Sequence, residues 1–348
     1  MKTFEELGKQ KKVKILAIES SCDETSVAIV ENGTKILGHI IASQIDIHKR
    51  FGGVVPEVAS RNHINAIYSV AQQCLKESKL RLNQIDAVAV TYGAGLIGCL
   101  LVGTSFAKGL ALSLNVPLLG VSHIKGHISA NFISNPSLKP PFVCLLVSGG
   151  HTAVVEVNDK YKNKLISTTV DDACGEAFDK IARVLGLEYP GGPKLERLAQ
   201  GGNPCIEFVK KNAFASGKNL SFSGLKTAVI NYIHTAIQRK EKINNADIAA
   251  SFEKAVVVPL ASKALEQCKI SGLKQLVVAG GVGANKHLQN TLKEMCEKHN
   301  IQLFLPDIKL CTDNAAMIAS SAYFEMKQGR GKTNLGLVTT SSVEIDDD

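Results

Sequence analysis

The chain has 348 residues, with 40 Lys or Arg against 32 Asp or Glu, a formal charge of +8. At 45% apolar and 21% charged residues it sits near globular averages, which excludes disordered and low-complexity classes and leaves room for about two domains. No run of roughly 18 apolar residues is present, so no transmembrane helix is expected, and the opening MKTFEELGKQKKVK lacks the apolar core of a secretory signal; the expectation is a cytoplasmic protein.

Residues 13–30, VKILAIESSCDETSVAIV, predict a strand, a polar turn and a second strand, with TKILGHII as a third. His48, Lys49 and Arg50 then precede FGGVVPEVASRNH, whose glycines and proline predict an exposed loop. Lys49, Arg50 and Arg61, with Lys9, Lys11, Lys12 and Lys14, are either contacts for RNA phosphate or an ordinary solvated face. Residues 57–80 predict a helix with a mixed apolar face, a dimer surface or plain internal packing. Residues 85–116 read as strand, Gly-rich loop and apolar helix.

The pattern then starts again. FVCLLVSGGHTAVVEV, residues 142–157, is strand, Gly turn, strand, with KLISTTV as the third. Residues 276–300 repeat the strand, Gly loop and helix. The two halves therefore read as duplicated α/β lobes. The second is longer by an inserted helical subdomain near 171–245, and TDNAAMIASSAYFEMKQG predicts a final helix with Asp313 or Asn314 near its start. The expected division is a first lobe over 13–125, with a helix at about 313–335 packing back on it, and a second lobe over 126–312. The closing SSVEIDDD is expected to fray.

Two such lobes make a cleft, and Gly loops at strand ends bring backbone N–H groups close to phosphate. GxxxxGK[ST] is absent, so the nucleotide would be held without a P-loop. His123 and His127 in VSHIKGHISAN have the i,i+4 spacing that presents two imidazoles on one helix face; the alternative is one capping and one surface histidine. No Glu follows the first His, so HExxH hydrolysis is not supported. Asp313 is the candidate third ligand, or an N-cap. Asp23 and Glu24 are either solvated turn acids or groups that position a metal, water or nucleophile. Ser148, Gly149, Gly150 and His151 form the matching turn. Asp179 can bind ribose hydroxyls or form a surface salt bridge; Gly191 and Gly192 can admit a sugar or base; Asn285 can cap a helix or contact base or phosphate. The nine cysteines contain no CxxC and read as reduced thiols, and without Trp or an RNP motif no base-stacking platform is legible.

The segments IESSCDETSVAIV, FGGVVPEVASRNH, SHIKGH, LLVSGGHT, GEAFDK, YPGGP, FSGLKTA, GGVGAN and TDNAA, in this order, resemble the bacterial TsaD (Gcp/YgjD) family of tRNA N6-adenosine threonylcarbamoyltransferases over about residues 13–335. The resemblance implies the α/β fold of actin, sugar kinases and Hsp70 (ASKHA). It implies transfer of threonylcarbamoyl from threonylcarbamoyl-AMP to N6 of adenosine 37 in tRNAs reading ANN codons. It implies one divalent metal, Fe2+ or alternatively zinc, on His123, His127 and Asp313, and substrate contacts at Leu146, Val147, Ser148, Gly149, Gly150, Asp179, Gly192 and Asn285. The acids important for activity fall on Asp23 and Glu24. The implied partners are tRNA, a TsaB-like paralogue, a TsaE-like ATPase and an upstream TsaC-type enzyme, with no membrane. A kinase or ATPase of the same fold would leave the HxxxH pair unexplained, and a scaffold paralogue would lack it.

Overall fold

Apolar runs buried at nearly every position form the central strands, the pattern of sheets covered on both faces. The computed structural model describes residues 4–208, 219–331 and 335–346. Its strands are β1 (Lys14–Glu19), β2 (Glu24–Glu31), β3 (Lys35–Ser43), β4 (Ala87–Gly93), β5 (Leu118–Ser122), β6 (Phe142–Val147), β7 (Thr152–Val157), β8 (Asn163–Thr168), β9 (Gln275–Ala279) and β10 (Gln302–Phe304). Its α-helices are α1 (Phe4–Gly8), α2 (Ile45–His48), α3 (Pro56–Ser78), α4 (Ile97–Leu114), α5 (His123–Ser134), α6 (Cys174–Val184), α7 (Gly191–Ala199), α8 (Ser223–Gln238), α9 (Asn245–Ser271), α10 (Lys286–Lys298), α11 (Ile308–Cys311) and α12 (Ala315–Lys327).

The chain divides into two units: Met1–Pro140 with Asn158–Lys162 and Pro306–Asp348, and Pro141–Val157 with Asn163–Leu305. The division falls after Pro140 rather than at 125, because α5 runs unbroken to Ser134 and packs on α12.

The first unit holds a five-stranded mixed sheet in the order β3-β2-β1-β4-β5. β1 pairs antiparallel with β2 and parallel with β4, in the register Ile15↔Ala87 to Ile18↔Val90. Side chains alternate along β1. Ile15 and Ala17 face the core with Met317 and Ile318 of α12, while Leu16 and Ile18 face the core with Ile67 and Val70 of α3. α12 reads AAMIASSA at its start and is buried at every one of those positions. Small side chains let it lie against both sheet and helix. Gly126 on α5 completes the approach, since a Cβ there would meet Ile318 Cδ1 at 2.7 Å. Ser320 Oγ donates to Ser129 O at 3.1 Å across the same seam. α4 is long and apolar enough to cross a membrane by length and composition, and Cys99, Leu100, Gly103 and Ala107 on it are buried.

The segment expected to fray is held at its start. Leu337 is buried against Gly120, Thr340 N–H donates to Tyr92 O, and Gly95 N–H donates to Ser341 O. These are backbone bonds to β4 and the turn after it, which local composition does not reveal.

The second unit holds another five-stranded mixed sheet, β8-β7-β6-β9-β10, with β6 antiparallel to β7 and parallel to β9. Val143, Leu145 and Val147 of β6 share a core with Phe178 of α6, Phe252 of α9 and Leu288 of α10. Phe178 and Phe252 meet edge to face, with ring centroids 5.2 Å apart. Between β8 and β9 lie α6 to α9, where the first unit has α2 and α3 between β3 and β4. Part of the expected helical segment, residues 209–218, lies outside the described residues.

Candidate functional site

β5 ends at Ser122 and α5 begins at the next residue, so His123 opens the helix and His127 follows one turn later. Asn314 is the N-cap of α12, accepting from Met317 N–H at 3.0 Å. That resolves the capping alternative and leaves the Asp313 side chain for another use. Asp313 lies between α11 and α12 and belongs to the first unit.

The seam between α5 and α12 brings the three residues together. Asp313 Oδ1 lies 3.4 Å from His123 Nε2 and 3.2 Å from His127 Nε2. One donor atom from each residue falls within a 4.8 Å group. The imidazole side chains are 9% and 2% exposed and Asp313 is 23% exposed, so the group opens on the carboxylate side. Neither ring nitrogen of His127 makes a directed hydrogen bond to a described residue. Two imidazoles and a carboxylate converging in a buried site, with an orphaned nitrogen among them, fit a divalent metal. Burial disfavours a charged imidazole, but Asp313 and then Glu19 outweigh it and raise His123 above its ordinary value. Burial likewise opposes ionisation of Asp313, and His123 followed by His127 hold its carboxyl far below the usual range.

Glu19, at the end of β1, was not singled out from the sequence. It is wholly buried and faces His123 Nδ1 at 3.1 Å. Its only signal was a charged residue closing the apolar run VKILAI, which also describes the first polar residue of any turn.

Asp23 and Glu24 are not the solvated turn acids of the simpler alternative. Asp23 is 6% exposed and its Oδ2 has no hydrogen-bond partner among the described residues. Glu24 accepts from Ser43 Oγ at 3.1 Å, and burial, then Asp313 and Asp23, push its carboxyl up to about 9. His63 of α3 braces this turn through Thr25 Oγ1 at 2.7 Å and Cys22 O at 2.9 Å.

In the second unit, Leu146 and Val147 are wholly buried on β6, paired with Ala153 and Thr152, so only their backbone can serve a ligand. The turn after them is closed by Ser148 N–H donating to His151 O at 2.8 Å. Gly149 and Gly150 are exposed, and a Cβ on either would meet nothing within 4 Å. Asp179 is half-buried on α6. Its Oδ1 accepts the N–H groups of Gly191 at 2.8 Å and Gly192 at 3.1 Å, fixing the start of α7. Gly191 is packed against Ala182, whereas Gly192 has open space at its Cβ position. Asn285 caps α10, accepting from Leu288 N–H at 2.8 Å, and donates through Nδ2 to the buried Glu253 at 2.6 Å. Glu253 Oε2 is also 3.1 Å from His287 Nδ1.

The loop of basic residues is only partly exposed: His48 is buried, while Lys49 pairs with Asp46 at 2.7 Å and Arg61 with Glu57 at 2.8 Å. Lys9, Lys11 and Lys12 are exposed and Lys14 is half-buried. Of the nine cysteines, Cys205 is exposed, Cys22 intermediate and the others buried and free.

Comparison with known proteins identifies the family of this chain. The TsaD family model, described as tRNA N6-adenosine threonylcarbamoyltransferase, matches residues 35–320. A Clostridium kluyveri protein of that name is 55% identical over 322 residues, covering 92% of this chain and 94% of the relative. One from Clostridium botulinum is 51% identical over 334 residues, covering 96% and 98%. Among solved structures, full-length HypF in its phosphate- and nucleotide-bound form aligns with TM-score 0.61 at 14% identity, over 91% of this chain and 47% of that one. Component A of the Acidaminococcus fermentans (R)-2-hydroxyglutaryl-CoA dehydratase aligns with TM-score 0.52 at 13% identity, over 91% and 99%. At such identities these two show the ASKHA-like fold alone.

Proposed function

The chain belongs to the TsaD family of tRNA N6-adenosine threonylcarbamoyltransferases, and on that premise we propose that it transfers threonylcarbamoyl from threonylcarbamoyl-AMP to N6 of adenosine 37 in tRNAs reading ANN codons, with AMP leaving. The observation that carries the metal-dependent form of this reading is the convergence of His123, His127 and Asp313. Two imidazoles and one carboxylate suit Fe2+ with open positions, and zinc as the alternative. When bound, the cation supplies Lewis-acid stabilisation of charge on the oxygens of the acyl-adenylate.

The chain's own residues do the rest. The donor is a mixed anhydride with an activated carbonyl, and adenine N6 is a weak nucleophile, so alignment and charge stabilisation carry the reaction. The open Gly149 and Gly150 turn offers N–H donors to the phosphate or developing oxyanion. Asp179 and Gly192 hold the ribose, and Asn285, fixed by Glu253, holds base or phosphate. Asp23, with an unpartnered buried carboxylate oxygen, takes the N6 proton, and Glu24 is the second acid of that turn.

The matching strand orders of the two sheets support a duplicated lobe, with α6 to α8 as the helical insertion of the second. The chain works in the cytoplasm on tRNA, whose phosphates meet exposed lysines such as Lys9, Lys11 and Lys12. A TsaB-like paralogue docks on α3, where Ile64 and Tyr68 are 62% and 63% exposed. A TsaE-like ATPase completes the assembly, and a TsaC-type enzyme supplies the acyl-adenylate.

The test uses purified protein with the two partners, unmodified tRNA and threonylcarbamoyl-AMP, and reads nucleosides from digested tRNA by mass spectrometry. Threonylcarbamoyladenosine that disappears in the His123→Ala/His127→Ala protein is expected. ATP consumption with a phosphorylated small molecule instead would overturn the reading.

A further inference from the structure

We propose that Glu19 is a positioning residue that fixes the tautomer and orientation of His123, and through it sets the affinity of the centre for a divalent cation. The inference rests on reading His123, His127 and Asp313 as the metal ligands.

Glu19 is 0% exposed, and a buried carboxylate persists only where its oxygens are satisfied. Oε1 accepts from Ser21 N–H at 2.6 Å, which ties it to the turn after β1. Oε2 accepts from Thr91 Oγ1 at 2.6 Å, which ties it to β4. Held at both ends, the carboxylate cannot swing away from His123. Oε2 also faces His123 Nδ1 at 3.1 Å. Ser21 Oγ lies at the same distance from that nitrogen, but a hydroxyl can donate or accept and does not decide the tautomer. An ionised carboxylate only accepts, so the proton sits on Nδ1.

In the neutral ring that can bind a cation, the lone pair is then on Nε2, which faces Asp313 Oδ1 at 3.4 Å. His127 Nε2 faces the same oxygen at 3.2 Å. With a cation in place of the protons between these atoms, three side chains would present lone pairs to it. Hydrogen bonding from Nδ1–H to a carboxylate also strengthens the opposite nitrogen as a donor. His127 has no such brace, since its Nδ1 has no hydrogen-bond partner among the described residues. The two histidines are therefore not equivalent: His123 is pre-aimed by the sheet, and His127 has no carboxylate behind its Nδ1.

The test compares wild type with Glu19→Gln, which keeps the volume and removes the charge. The zinc dissociation constant is measured by competition with a chromogenic chelator, and the visible absorption of the Co2+ form is recorded beside it. Ten- to hundredfold weaker zinc binding and a shifted Co2+ band are expected for the variant, the range typical of a lost carboxylate behind a metal-bound histidine. Unchanged affinity and an unchanged band would overturn the proposal while leaving the metal reading intact. Wild-type protein that binds no zinc would overturn both. Because Glu19 also anchors Ser21 and Thr91, the variant is backed by a measurement on wild type alone. In 15N-histidine NMR of the zinc-loaded protein, His123 is expected to carry its proton on Nδ1 with Nε2 on the metal. The opposite tautomer would remove Glu19 from this role whatever the variant does.

Discussion

Replacing Gly280 with alanine tests whether the turn after β9 and the turn after β6 form one rigid floor in the second unit. Gly280 has φ 92° and ψ 166°, a region that only glycine occupies without strain. An L side chain there costs about 1–3 kcal/mol from the backbone alone. The added Cβ would also press on the Val147 backbone, 2.7 Å from its carbonyl carbon, and on Ser148 Cβ at 3.1 Å. Forcing a carbon into such packing costs another ~1–3 kcal/mol. Since 1 kcal/mol moves the midpoint of a domain of 150–250 residues by roughly 2–4 °C, the sum lowers it by roughly 4–24 °C. Calorimetry of the second unit's transition reads that shift, and calorimetric titration with AMP reads displacement of the Ser148 turn as weaker binding. A midpoint within about 1 °C of wild type, with AMP affinity intact, would refute the reasoning, because relief of a clash that size requires the two turns to be independent.

Gly149→Ala is the converse: with nothing within 4 Å of the new Cβ, its midpoint should match wild type while AMP affinity falls severalfold by the same titration. Asp171 gives an acid-sensitive joint. Burial opposes its ionisation, but hydrogen bonds from Ser221, Phe222 N–H and Ser223 outweigh that and hold it at about 2 against an ordinary 3.8. Its folded value is depressed, so its contribution is present above pH 4 and lost as pH falls toward 2. Urea midpoints at stepped pH should show that loss in wild type and a shallower one, from a lower start, in Asp171→Asn. With Cys205 exposed and burial raising thiols such as Cys144 and Cys174 far above their usual value, an aromatic disulfide reagent should find one fast thiol per native chain; Cys205→Ser should abolish the fast phase.

The strands were legible because their cause is local. Alternating or continuous apolar runs bounded by Gly and polar turns placed β1 to β3 and β6 to β8 within a few residues. The histidine pair was legible because i,i+4 spacing is a property of the helix itself. What joined it to Asp313 was not. Gly126 looks like a spacer in SHIKGH, and its use is visible only once Ile318 lies against it. Glu19 was hidden for a related reason: its partners are a turn, a neighbouring strand and a helix more than a hundred positions away. Asp179 shows the limit for motifs. GEAFDK marked the residue, but its bond to the start of α7 depends on how the chain returns after α6. Residue type proposed the chemistry, and tertiary contact decided which neighbour each group met.

The first unit is assembled from segments that flank the whole of the second. His123 and Asp313 are therefore separated by roughly 190 residues of synthesis, or about 10–40 s at ribosomal speed. Throughout that interval a nascent chain offers two imidazoles without their carboxylate, a weak trap for any passing cation. The second unit, a single stretch but for one short excursion, leaves the ribosome before the centre can close. Assembly of the His123, His127 and Asp313 group is thus ordered by chain topology: the second unit's segments are complete first, and the three residues meet only when α12 docks on α5.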